Sequence, residues 1–320
     1  MRGLNQAIAA VLLFAAALLV GGARAGAAEP IASLPYRIDY GGWFTVEATV
    51  NGMGPYDFII DTGATRTLVF ENLAAAQSFP ETGGAPLTVL GVSSGAEFPA
   101  RRIGDIALGD VRVEGLVSVV LPNWSDAGRG PQGLVGLDVL SRYALVFDAA
   151  ARRVEFHARG SDIGAPRRWR RIALEAEDFG LDAGLLYTLE ARMRSKSVRF
   201  ILDLGAAAPI VNRAGFSVFT RQDPPIITST SSSRIPGRIT DALDVDEETF
   251  LFEAATVRAG SAMWRDELFV CHDAEIFRQL GVAERPFGLF GASLFANRSF
   301  AIDFAARELR VGPRVAAGAL

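Results

Sequence analysis

Phe58-Ile59-Ile60-Asp61-Thr62-Gly63-Ala64 is the stretch that decides how this chain is read. Three apolar residues with strand-forming character run into an aspartate, and a glycine two places later permits a tight turn and close backbone approach. An aspartate so placed lies at the end of a buried strand, on the floor of a loop whose backbone N–H groups face its carboxylate. Asp-Thr-Gly on its own is also an ordinary turn sequence. A second copy changes its weight: Phe200-Ile201-Leu202-Asp203-Leu204-Gly205-Ala206 repeats the pattern, with Asp203 in the place of Asp61.

The repetition continues downstream, as it does where a structural unit is duplicated. Gly133-Leu134-Val135-Gly136 corresponds to Gly288-Leu289-Phe290-Gly291, and Val146-Phe147-Asp148 to Ala301-Ile302-Asp303. Asp61 and Asp203 are 142 positions apart, Asp148 and Asp303 are 155, so the second half carries an insertion of 13 residues between its two blocks. Each half reads as strand. Thr45 to Val50 alternates apolar and polar residues before an Asn51-Gly52 turn. Ile106 to Val113 reads as a hairpin around Gly109-Asp110. Ala144 to Asp148 pairs with Val154 to Phe156, and Ala301 to Phe304 with Glu308 to Val311. Helices are expected to be few and short: one turn over Asp138 to Arg142, and Ala274 to Leu280 with Asp273 as N-cap and Gly281 as stop. The expected fold is all-β and bilobal, two similar lobes about a pseudo-twofold axis. The boundaries are 30–158 for the first lobe, 159–171 for a linker rich in Gly, Pro and Arg, and 172–313 for the second lobe.

Two such loops related by a twofold would bring Asp61 and Asp203 face to face. Carboxylates about 3 Å apart cannot both ionise, so the pair shares one proton. One then acts as base toward a water held between them, and the other as acid toward a carbonyl oxygen or a departing amide nitrogen. No metal, histidine or cysteine takes part, and the chain has only one cysteine, Cys271, and two histidines.

These residues resemble the retropepsin and pepsin aspartic peptidases, in the bacterial exported form where two retropepsin-like lobes are fused. Asp61-Thr62-Gly63-Ala64 carries that family's active-site motif in full, and the resemblance runs from about Pro35 to Val311. It implies an aspartic endopeptidase with Asp61 and Asp203 as catalytic carboxylates, supported by Thr62, Gly63, Ala64, Leu204, Gly205, Ala206, Gly136 and Gly291. It implies that Thr62 locks its hydroxyl to backbone across the lobe interface, and that Leu134-Val135-Gly136 and Leu289-Phe290-Gly291 thread beneath the two loops. It also implies a flap over the cleft, for which Thr88 to Gly95 is the candidate, with Leu90, Gly91, Val92 and Ser93 near its tip. No cofactor and no metal are implied. The partner is a peptide or protein substrate, and a monomer is expected. Leu204 departs from the pattern, since the family places Thr or Ser there and leucine can neither donate nor accept a hydrogen bond. A fold with an impaired site, retaining peptides or cell-wall fragments without cutting them, is therefore the alternative.

Composition is compatible with this reading. Half of the 320 residues are hydrophobic and 21% are charged, as in a packed globular protein. A formal net charge of -4 gives no general attraction to nucleic acid. Arg2, the apolar run Ala7 to Val20 and the small-residue stretch Ala23-Arg24-Ala25 read as a signal peptide over 1–25, with periplasmic or secreted localisation and no stable membrane anchor after cleavage. Rival constellations are weaker. Gly91-Val92-Ser93-Ser94-Gly95 matches a nucleophile elbow formally but lacks the helix that must follow. Cys271-His272 lie next to each other along a strand and point apart, so Cys271 reads as a buried structural thiol. Asp244, Asp246, Glu247 and Glu248 lack cation-loop spacing and read as a solvated loop. Ser229 to Ser233 lies in the insertion, which could form a second hairpin.

Overall fold

The computed structural model describes residues 28–315, except 92–94, 124–129, 181–183, 194–195, 221–234 and 241–245. The leader read at 1–25 lies outside the described residues, as do Val92, Ser93, Asp244 and the Ser229–Ser233 run. Nearly all elements are strands, with four short helices among the described residues, and they form the expected all-β, two-lobed architecture.

The first lobe begins from the Asn51-Gly52 turn. Asn51 and Gly52 have φ of 51° and 75°, the left-handed pair that matches strand twist in a tight hairpin. They join Phe44–Val50 to Met53–Ile60, whose antiparallel register sets Val46 opposite Phe58. Arg101–Leu108 and Val111–Ser118 form the second hairpin. The strand Gly133–Val135 then inserts beside Met53–Ile60, parallel to it, while pairing antiparallel with Leu68–Phe70 on its other side. The second lobe repeats this threading. Phe287–Phe290 runs parallel to Lys196–Leu202 and antiparallel to Ile210–Val211. The inserted residues extend the second lobe: Ile235–Thr240 pairs with Asp246–Ala259, which turns into Ala262–Cys271. Asp246, Glu247 and Glu248 thus open a strand and are not a loop, because backbone pairing with 238–240 captures them. Cys271 ends its strand and is buried, as expected of a structural thiol.

The lobes share a sheet. Tyr143–Asp148 of the first half pairs antiparallel with its counterpart Arg298–Asp303 of the second, placing Leu145 opposite Ile302 and Phe147 opposite Phe300. The pseudo-twofold passes through this pair. Phe147 and Phe300 stack with centroids 4.2 Å apart, and Phe44 meets both edge-on; such ring pairs add about 0.5–1.5 kcal/mol beyond area burial. The connecting segment is a strap across this sheet. Its Ile163, Ala165 and Trp169 are buried against Ala144, Val146 and Ala301, strands from both halves. Its last residues, Arg170 and Arg171, already belong to the strand Arg170–Ala173.

One capping expectation is corrected. The helix is Glu275–Gln279, with Ala274 at its N-cap and no side-chain cap. Asp273 instead accepts the N–H of Arg213 at 2.8 Å, the first residue of the helix Arg213–Thr220. Its carboxylate also pairs with the Arg213 guanidinium at 3.1 Å. A charged partner close in space won over the local cap.

Candidate active site

Each aspartate stands one residue beyond a fully buried strand end. Phe58, Ile59 and Ile60 have no exposed surface, and the Asp61 N–H reaches back to Val135 O at 3.0 Å. In the second lobe the Asp203 N–H bonds Phe290 O at 3.3 Å. The loops then turn under their own carboxylates. Asp61 Oδ1 accepts the N–H groups of Gly63 and Ala64 at 2.8 and 3.0 Å. Asp203 Oδ1 accepts those of Gly205 and Ala206, both at 2.9 Å. Beneath them, Leu137 N donates to Ala64 O and Ala292 N to Ala206 O, each at 2.8 Å.

The glycines show how tightly the parts meet. A Cβ on Gly136 would lie 2.5 Å from the Arg66 carbonyl carbon, and one on Gly291 2.4 Å from that of Ala208. Only glycine lets the threading segments pass so close to the loops. Across the twofold, a Cβ on Gly205 would sit 2.3 Å from Asp61 Cγ, and one on Gly63 2.4 Å from Asp203 Cγ. Each loop glycine therefore abuts the other lobe's carboxyl group, which brings Asp61 and Asp203 together at the lobe boundary.

Electrostatics follow from that enclosure. Burial pushes the Asp61 carboxyl up to about 6, against the downward pull of the Gly63 and Ala64 N–H groups. Burial also raises Asp203, and the adjacent Asp61 charge raises it further, to about 8. Two buried carboxyls brought this near one another retain one proton between them.

Thr62 has no exposed surface and works across the interface. Its hydroxyl donates to Leu202 O at 2.7 Å and accepts the Leu204 N–H at 3.0 Å. Both peptide groups flanking Asp203 are thus held by one side chain of the first lobe. Leu204, at the equivalent position, is fully buried and returns no hydrogen bond from its side chain.

The candidate flap is a two-stranded hairpin, Leu87–Leu90 with Gly95–Phe98, in which Leu90 pairs with Gly95 and Gly91 is buried. It reaches the second lobe, for a Cβ on Gly95 would lie 3.1 Å from Gln279 Nε2.

Residues 46–139, which hold the first loop, its threading strand and this hairpin, match the family model described as aspartyl protease. This stretch is similar to the retropepsin-like aspartyl proteases. No curated protein matches the chain. The aspartyl protease match lies within the first lobe, whose threading the second lobe repeats.

Sequence reasoning missed several residues of the site. Asp138, whose carboxyl burial raises, accepts both the N–H and the hydroxyl of Thr67 at 2.8 and 2.7 Å. Thr67 Oγ1 in turn accepts the Gly136 N–H at 3.0 Å, anchoring the threading segment. Pro209 and Ser293 occupy the corresponding places of the second lobe, so the repeat gave no signal for this network. Trp43 was also missed, and its indole N–H donates to Gly205 O at 2.6 Å. Among the described residues no group of three or more His, Cys, Asp or Glu is arranged to hold a metal ion, and no helix is long and apolar enough to cross a membrane.

Proposed function

We propose that the chain is an aspartic endopeptidase in which Asp61 and Asp203 together activate a water for attack on a peptide bond. The observation that carries this is the packing of each loop glycine on the opposite carboxyl group, so close that a Cβ there would lie 2.3 and 2.4 Å from its Cγ. Enforced proximity in a buried setting leaves one proton on two carboxyls. The ionised member takes a proton from the water, and the protonated member gives one to the scissile carbonyl oxygen. The hairpin of Leu87–Leu90 and Gly95–Phe98, which approaches Gln279 of the second lobe, is the candidate flap, to whose edge an extended peptide would add strand-like pairing. With the pair raised to about 6 and about 8, cleavage should rise through the lower value and fall through the upper one. Below both values no base is ionised, and above both no acid remains. The leader read at 1–25 supports action outside the cytoplasm.

The test is cleavage of a proteome-derived peptide library at several pH values, with Asp61→Asn as control. Cuts present in the wild type and missing in the variant support the proposal. Peptides retained but uncut at every pH would instead favour the binding-module reading that Leu204 suggests.

A further inference from the structure

The two halves of the site are not held alike. A Thr at position 204 would mirror Thr62, but Leu204 is fully buried and carries no polar atom on its side chain. The loop around Asp203, already held by Thr62, is pinned at a further point. The turn Asp39–Trp43 leaves the first lobe and lies against the second loop, with a Cβ on Gly42 3.6 Å from Ala207 Cβ. Asp39 builds this turn by accepting the N–H groups of Gly41 and Trp43, both at 3.0 Å. Trp43 is half-buried, packed on the first lobe's apolar group that includes Ile59, Leu68 and Leu134, and its N–H points across the boundary to Gly205 O at 2.6 Å.

That acceptor matters because a peptide group is one rigid plane. The Gly205 carbonyl shares its plane with the Ala206 N–H, which donates to Asp203 Oδ1 at 2.9 Å. A hydrogen bond on the carbonyl side fixes the orientation of the N–H and polarises it toward the carboxylate. The corresponding position of the second lobe is Leu185, which precedes the strand Leu186–Met193 as Trp43 precedes Phe44–Val50. Leu185 is 47% exposed and has no N–H in its side chain. The restraint is therefore one-sided, from the first lobe onto the second, as is that of Thr62.

We propose that Trp43 is a positioning residue for Asp203. It fixes the Gly205–Ala206 peptide and so adds a second restraint from the first lobe on the Asp203 loop, beside that of Thr62. The inference rests on the peptidase reading for its kinetic consequence only.

The test compares Trp43→Phe with wild type. Loss of one oriented donor should lower kcat about tenfold with KM little changed. The carbon-13 titration of the Asp203 carboxyl should move upward, because a weaker Ala206 donor stabilises its ionised form less. Wild-type kcat together with an unmoved titration would overturn the proposal. If Phe leaves too large a gap for folding, the benzothienyl isostere of Trp43 keeps the shape and deletes only the N–H. Should the wild type bind peptides without cutting them, the peptidase reading fails, and the carboxyl titration still decides the role of Trp43.

Discussion

Thr62→Val tests the interlobe lock directly. Valine reproduces the shape of threonine and removes only the hydroxyl. The side chain has no exposed surface, so water cannot replace what is lost. Two groups then lose their partner, the Leu202 carbonyl at 2.7 Å and the Leu204 N–H at 3.0 Å. A buried polar group left unsatisfied costs about 1–3 kcal/mol, so the pair should cost roughly 2–6 kcal/mol. Thr62→Ser is the control, since it keeps the hydroxyl and loses one methyl group, about 1 kcal/mol. Urea unfolding followed by tryptophan fluorescence measures both. At about 2–4 °C per kcal/mol for a chain near this size, Thr62→Val should also melt roughly 5–20 °C lower. Equal midpoints for the Val and Ser variants, within about 0.5 kcal/mol, would refute the argument that the hydroxyl holds the second loop.

Other outcomes follow from the same geometry. Asp61→Asn and Asp203→Asn should each lower peptide cleavage by roughly 10³-fold or more, read by peptide turnover with the fold checked by circular dichroism. The two carboxyls also link stability to pH. Their folded values lie above the unfolded one, so the folded chain holds the protons more tightly. That contribution is complete below about pH 4, the unfolded range, and is lost as pH rises through about 6 and about 8. Asp203→Asn should therefore melt higher than wild type at pH 8.5 and show a flatter melting profile above pH 5. Gly205→Ala should remove activity and lower stability by about 1–3 kcal/mol, because its methyl would overlap the Asp61 carboxyl; a soluble, fully active variant would contradict the packing of the two loops. Gly136→Ala meets backbone at 2.5 Å and should fold less stably, measurable by thermal melting.

Much of the framework was readable because it is written twice. Alternation of apolar residues, the Asn51-Gly52 turn and the recurrent Asp-x-Gly-Ala segments are local patterns, and local patterns dictate strands and tight turns. Duplication turned Asp61 from a turn residue into half of a pair, and the same comparison exposed Leu204 as the place where the halves differ. Features that break the repeat gave no such signal. Trp43 aligns with Leu185, and Thr67 and Asp138 align with Pro209 and Ser293, so comparison of the halves passed over all three. Asp273 was misassigned because the N–H of Arg213, distant along the chain, is close in space.

The sequence by itself determined two all-β lobes, the position of each aspartate at a strand end, and glycine wherever backbone must pass close. These follow from side-chain size, β-propensity and period, which act over a few residues. Only the tertiary structure decided how the loops are tied. That Thr62 grips both peptides around Asp203, that Leu204 gives nothing back, and that Trp43 reaches Gly205 all depend on hydrogen bonds between residues far apart in the chain. Such bonds form only once the lobes are docked, because their directions are set by how the two lobes meet.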